Sequence, residues 1–344
     1  MDTSLKGRES APMSAAEPGM ALEYIRVLVD FLADEGLDMD RILRAHGVDP
    51  QALASPDFVV PYALFESFAA EVITEVNEPA LGIRVGEHMA TSTHGSLGIA
   101  AVSSASTRQL LELIERFLST RITVLSLRVR VSRGRARAVL HELVPMGVAR
   151  ALVLEVVLLS IKNVLMDASM GRCPIAEVRF PFPRPAHATQ AEESFGCPVV
   201  YGARHAALDI PSAALDEPLK LADPRTRELA SSLCEREVEK LGTSRSYDIR
   251  ARKLMLEHAQ GFPSMTQLAR RLHLTPRTLA RKFTAEGTSY RHILDDLRHR
   301  MAVDLINSGS KMDEVAYLLG YTDTSNFRRA FHRWAGEAPS KLRE

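Results

Sequence analysis

Leu268-Ala269-Arg270-Arg271-Leu272-His273-Leu274-Thr275-Pro276-Arg277-Thr278-Leu279-Ala280-Arg281-Lys282-Phe283 is the stretch whose reading decides the fold. Leu268, Ala269 and Leu272 before a break, then Leu274, Leu279 and Phe283 after it, have the apolar spacing of two short helices packed across each other, with Ala269 small where they cross. Thr275 reads as an N-cap. Pro276 suits the first helical turn, where φ is already helical and a missing N–H costs nothing. The outer face keeps Arg277, Thr278, Arg281 and Lys282, side chains that can reach guanine edges or phosphate oxygens in a major groove. A single helix-turn-helix in a helical protein is more often ordinary packing than a DNA reader.

A second copy changes that balance. Val315, Ala316 and Leu319 repeat the supporting helix, Gly320 permits the left-handed exit, and Tyr321, Phe327 and Phe331 repeat the apolar positions that follow. The step from Ala316 to Phe327 is one residue longer than that from Ala269 to Leu279, so the second turn is expected to be longer by one. Thr322, Asp323 and Thr324 supply the extra residue and an N-cap. Thr324, Ser325 and Asn326 then stand at the N-terminal end of the second reader, with Arg328, Arg329 and Arg333 along its outer side. Between the units, Ile293, Leu294, Leu297, Met301, Ala302 and Leu305 predict a helix over residues 290–308. Its length of roughly 25–30 Å could hold two reading helices about one DNA turn, roughly 34 Å, apart on one side of a duplex.

Charge distribution gives an independent line. The chain's 43 Lys+Arg and 43 Asp+Glu cancel, but residues 247–344 carry 17 basic and 11 acidic side chains, leaving 26 and 32 to the rest. A basic terminal domain on an acidic larger one suits attraction to nucleic acid and salt-sensitive binding.

Residues 263–343 resemble the DNA-binding domain of AraC/XylS-type bacterial transcription regulators. The resemblance rests on Thr275-Pro276-Arg277-Thr278-Leu279, Arg281, Phe283, Glu286-Gly287, Arg298, Leu319-Gly320-Tyr321, Asp323, Asn326-Phe327, Arg329-Ala330-Phe331, Trp334, Gly336 and Pro339-Ser340. It implies base-facing roles for Arg277, Ala280 and Arg281 in the first reader and for Thr324, Ser325, Asn326 and Arg329 in the second. Lys282, Arg328 and Arg333 are the phosphate-contact candidates. Ala280 could offer only a methyl contact, for example to thymine. His273 stands where the family often has Gly, and a left-handed histidine carries a cost.

At 344 residues, with 46% hydrophobic content, the chain is expected to form two domains. Residues 1–18, rich in Ala, Ser, Gly, Pro and charge, read as a mobile tail and not as a secretory signal. Residues 19–242 read as an α+β sensor and dimerisation domain, and residues 243–344 as an all-α DNA-binding domain with two helix-turn-helix units joined by a long helix. The plausible linker is 242–247. Helices are predicted over 21–34, 39–46, 61–76, 95–102, 107–118, 148–169 and 190–195, with one or two more over 219–241. Strands are predicted over 123–131 and 136–143, joined by Ser132-Arg133-Gly134 with their arginines on a solvated face, and over 177–182 and 199–201. The apolar stretch 151–166, interrupted by Glu155 and Lys162, is too short for a membrane span and reads as a core helix.

Residues 79–117, above all His94-Gly95-Ser96-Leu97-Gly98-Ile99-Ala100 with Ser104 and Thr107, resemble the N-terminal effector domain of the branch that includes ornithine- and arginine-responsive activators. That resemblance implies small-molecule binding or dimerisation in an α+β sensor, not the cupin barrel of the founding arabinose regulator. It transfers no effector-contacting residue.

Enzyme classes find no address. Gly95 lies directly beside Ser96, so the G-x-S-x-G elbow fails. The glycines are read as allowing close helix packing, Ser96 as a cap, and His94 as a hydrogen-bonded core residue. There is no P-loop, no dinucleotide fingerprint and no H-E-x-x-H. Cys173, Cys197 and Cys234, odd in number and without C-x-x-C spacing, read as free thiols, with neither a disulfide framework nor a metal site. The expectation is a cytoplasmic, sequence-specific activator without cofactor. It would be controlled by a small effector and act as a homodimer with RNA polymerase as partner. The alternative makes the N-terminal domain only a dimerisation or interaction module.

Overall fold

The computed structural model describes residues 18–54, 59–244, 246–256, 261–307 and 309–343; residues 1–17 of the expected tail lie outside them. The described chain enters through β1 (Gly19–Ala21), antiparallel to β2 (Val59–Pro61), and this pair brackets α1 (Leu22–Asp34) and α2 (Met39–Ala45). α3 (Tyr62–Val76), α4 (Leu81–Glu87), α5 (Gly95–Val102) and α6 (Thr107–Phe117) follow. Ser106 caps α6 by accepting from the Gln109 N–H, and Leu110, Leu111, Ile114 and Phe117 are buried, as their spacing predicts.

The hairpin is β3 (Leu125–Ser132) and β4 (Arg135–Glu142), with Arg133 and Gly134 at φ 49° and 76°, the two positive values that a tight two-residue hairpin turn requires. After α7 (Arg150–Ser169) come β5 (Glu177–Arg179), α8 (Ala188–Phe195), β6 (Val199–Val200) and β7 (Ala207–Pro211). The strands form an open sheet of order β3-β4-β7-β5-β6, antiparallel except for β5 with β6. The N-terminal domain is therefore α+β.

Strand β7 escapes the sequence reading because it lacks alternation: Ala207 to Ile210 are all buried, and Asp209 looks like a turn residue. Asp209 is fully buried and accepts from Arg137 Nε and Nη2, both at 2.7 Å. The solvated-face expectation holds for Arg130, Arg133 and Arg135, which are exposed, and is corrected for Arg128 and Arg137, which are half-buried in ion pairs. Arg137 neutralises a buried carboxylate on the neighbouring strand, with Arg135 at 3.6 Å and Arg179 at 3.9 Å as its further partners, and Arg128 pairs with Glu115 at 2.6 Å.

The core helix α7 buries residues on every side, including Glu155, which accepts from His187 Nε2 at 2.7 Å. α4 packs so closely on it that a Cβ at Gly82 would collide with the Glu155 carboxylate. Among the described residues no helix is long and apolar enough to cross a membrane. All three cysteines are free thiols, and burial pushes each thiol up, Cys197 to about 11.

α9 (Pro224–Ser244) closes the domain. Its Ala230 and Cys234 pack with Leu97, Ala100, Leu113 and Phe117. Ser96 is not a cap: it donates to Glu237 on α9 at 2.7 Å and accepts from buried Arg121 at 3.2 Å. His94, by contrast, is hydrogen-bonded core, with Nδ1 2.8 Å from the Tyr24 hydroxyl. α9 continues through Gly242 to Ser244, and α10 (Tyr247–Leu256) begins three residues on. Most of the expected linker is thus helical, because a packed helix propagates through residues that composition alone assigns to a loop.

The C-terminal domain comprises α10, α11 (Met265–Arg271), α12 (Pro276–Ala285), α13 (Tyr290–Asn307), α14 (Met312–Leu318) and α15 (Thr324–Ala335). α13 serves two cores. Ile293 and Leu297 pack with Leu268, Ala269, Leu279 and Phe283, whereas Ala302, Leu305 and Ile306 pack with Val315, Ala316, Phe327 and Phe331. At 1.5 Å per residue its 18 residues span about 27 Å.

Candidate DNA-reading surface

Each reader is made by the same local chemistry. The Thr275 hydroxyl accepts from the Thr278 N–H at 3.2 Å and caps α12, with Pro276 at its first position. The Asp323 carboxylate accepts from the Asn326 N–H at 2.7 Å and caps α15, and that bond holds its pKa below the usual carboxylate value. Leu279 and Phe283 face one core and Phe327 and Phe331 the other. The opposite faces are left to solvent: Arg277, Ala280, Arg281 and Lys282 are exposed on α12, and Ser325, Asn326, Arg328, Arg329 and Arg333 on α15, with Thr324 half-buried.

The two turns share an exit. After α11, the His273 N–H donates to Arg270 O and the Leu274 N–H to Ala269 O. After α14, the Gly320 N–H donates to Tyr317 O and the Tyr321 N–H to Ala316 O. His273 and Gly320 hold the left-handed position at φ 56° and 79°. The N-cap comes two residues after His273 but three after Gly320, so the additional residue lies between exit and cap.

Several residues without an assigned role in the sequence organise this surface. The Arg298 guanidinium lies 4.9 Å from the Tyr321 ring centroid in the second unit and 5.5 Å from that of Phe262, which packs on the first. It bridges the two units at the middle of α13. Asp296 accepts from Arg252 of α10 and from Arg300, the latter at 2.8 Å. Glu286 caps α10 by accepting from the Tyr247 and Asp248 N–H groups at 2.8 and 3.0 Å. A carboxylate capping a helix that begins 39 residues earlier leaves no local pattern to detect.

The candidate readers are not all free. Asn326 donates to Asp323, and its Oδ1 accepts from Arg329 Nη2 at 2.8 Å, which fixes three residues in one chain. Arg333 donates to Asp295 on α13 at 3.2 Å, and Lys282 Nζ lies 5.3 Å from the Tyr247 ring centroid. Arg277, Arg281 and Arg328 are exposed. Together the two faces present donors suited to base edges and phosphates.

Known proteins match this architecture. Residues 36–219 match the family described as "Arabinose-binding domain of AraC transcription regulator, N-term", and residues 268–344 match "Helix-turn-helix domain". The chain is 31% identical to the ornithine utilization regulator of Pseudomonas aeruginosa, over 97% of this chain and 98% of that one. It is 26% identical to the HTH-type transcriptional regulator VirS of Mycobacterium tuberculosis, over 91% and 93%. The solved transcriptional regulator CdpR of Pseudomonas aeruginosa aligns at 24% identity with a TM-score of 0.46, over 93% of this chain and 98% of that one. The chain belongs to the AraC-type family of DNA-binding transcription regulators, which are not enzymes.

Proposed function

We propose that this regulator is sequence-specific and reads two successive major grooves from one chain. Arg277, Ala280 and Arg281 meet bases through α12, and Thr324, Ser325, Asn326 and Arg329 do so through α15. Lys282, Arg328 and Arg333 meet phosphates. The observation that carries the reading is one helix, α13, contributing to both hydrophobic cores while both basic faces stay open. The DNA-binding unit is taken as residues 243–344 and the effector and dimerisation unit as residues 19–242.

A small effector bound to the N-terminal domain controls binding, and the regulator acts as a cytoplasmic activator that engages RNA polymerase. A relative named for ornithine utilization supports a small metabolite in that role. A homodimer would raise operator affinity through effective concentration.

Anisotropy with DNA from upstream of the protein's own gene tests the reading. Arg281→Ala and Arg329→Ala should each lose roughly 1–3 kcal/mol of specific binding with the fold intact. Unchanged affinity in both folded variants removes the assignment.

A further inference from the structure

The hairpin of β3 and β4 carries five arginines, Arg128, Arg130, Arg133, Arg135 and Arg137, and no acidic residue occurs between Glu115 and Glu142. Two carboxylates from other elements meet this charge. Glu115 takes Arg128 at 2.6 Å, and Asp209 takes Arg137 at 2.7 Å with Arg135 at 3.6 Å. The whole tip, residues 130–135, is exposed, with Arg130, Arg133 and Arg135 on it.

Local stability does not explain these arginines. Arg130 stands directly opposite Arg137 in the ladder, and like charges so placed destabilise a strand pair. Arg133 holds φ 49° in the turn, a left-handed position that Asn or Gly would take with less strain. The positive field reaches a neighbour: burial, then Arg130, Arg128 and Arg204, hold the His141 imidazole down to about 4. Two local rules broken on one exposed tip are the mark of a surface kept for a partner.

The hairpin's place in the fold names that partner. An open groove lies between it and the first helix-turn-helix unit, with Arg128, Val129 and Val131 along one side and Arg250 and Lys253 of α10 and Arg271 of α11 along the other. Basic residues of both domains therefore line one groove, beside the helix that supports the first reader. A duplex held by that unit brings a chain of phosphates to this flank at high effective concentration.

We propose that the hairpin tip is a further DNA-contacting surface, on which Arg130, Arg133 and Arg135 bind backbone phosphates flanking the first reader's half-site. The N-terminal domain then adds to affinity and not to base selectivity, because phosphate contacts carry no sequence information.

Anisotropy of the full chain over a salt series tests this with two duplexes, one ending at the edges of the two reader windows and one running about ten base pairs further at each end. Log affinity falls against log salt by about 0.9 for each phosphate neutralised. The wild-type slope should be steeper on the longer duplex by about 2–3. The combined variant Arg130→Gln, Arg133→Asn, Arg135→Gln should return it to the short-duplex value, while its affinity for the short duplex stays within about twofold, which reports an intact fold. The combined variant Arg130→Lys, Arg133→Lys, Arg135→Lys keeps the charge and should keep the steeper slope. Equal wild-type slopes on the two duplexes, or a neutral variant as steep as wild type, would overturn the proposal and leave the tip to an acidic protein surface. Equal weakening on both duplexes, or loss of the slope in the lysine variant, would overturn it as well. The same chains can be compared on a long duplex of unrelated sequence, so absence of any preference for upstream DNA would sink the sequence-specific reading without deciding this one.

Discussion

Replacing Arg298 with Ala should separate two properties that a single affinity measurement merges: how well each unit grips DNA, and how rigidly the two are held in register. Arg298 sits between Tyr321 and Phe262 at 4.9 and 5.5 Å, half-buried on α13 and not on either reader helix. Each cation–π contact is worth about 0.5–2 kcal/mol, so the pair contributes on the order of 1–4 kcal/mol to the bridge between the units. If that bridge pre-aligns the readers, most of its loss appears when both grooves are engaged. The full site should weaken about ten- to a hundredfold, at 1.4 kcal/mol per decade. A DNA fragment carrying one half-site should change by no more than about twofold, the scatter of an uninvolved position. Fluorescence anisotropy at one fixed salt concentration reads both, since binding depends steeply on salt. Equal losses on the two fragments, or none on the full site, would refute the argument.

Three further outcomes follow from local geometry. His273→Gly should stabilise the first unit by about 0.5–1 kcal/mol, the ~1–2 kcal/mol cost of a left-handed side chain less the greater chain entropy of glycine, as read by urea midpoints. Gly320→Ala, at φ 79° with only Arg298 Nη2 near the new Cβ, should cost about 1–2 kcal/mol by the same measurement. His94, held down to about 4 by burial from its ordinary 6.5, refuses in the folded state a proton that the unfolded chain accepts. Stability therefore falls as pH drops from 6.5 toward 4, by up to about 1.4 kcal/mol per unit, and His94→Gln should flatten that slope; identical slopes would count against it.

The reader helices were legible because their signals are local. An N-cap, an adjacent Pro or Asp, and apolar positions at helical spacing lie within a few residues of one another around Thr275 and Asp323. The one-residue difference between the turns followed from counting alone. What could not be read was set at long range. Asp209 looks like a turn residue until Arg137, 72 positions earlier, is seen to bury it in a central strand. Ser96 looks like a cap until Arg121 and Glu237 enclose it. Gly242 looks like a linker because composition carries no record of how far α9 runs. Arg298 was visible only as a family residue, and its role needed the positions of Phe262 and Tyr321.

Hydroxyl-radical footprinting of the full chain on its own upstream DNA bears most directly on the central claim, that one stiff helix presents two readers to one side of the duplex. Two protected windows should appear on the same face, about 10–10.5 base pairs apart. Arg281→Ala should empty one window and Arg329→Ala the other. A single window, or two on opposite faces, would contradict it.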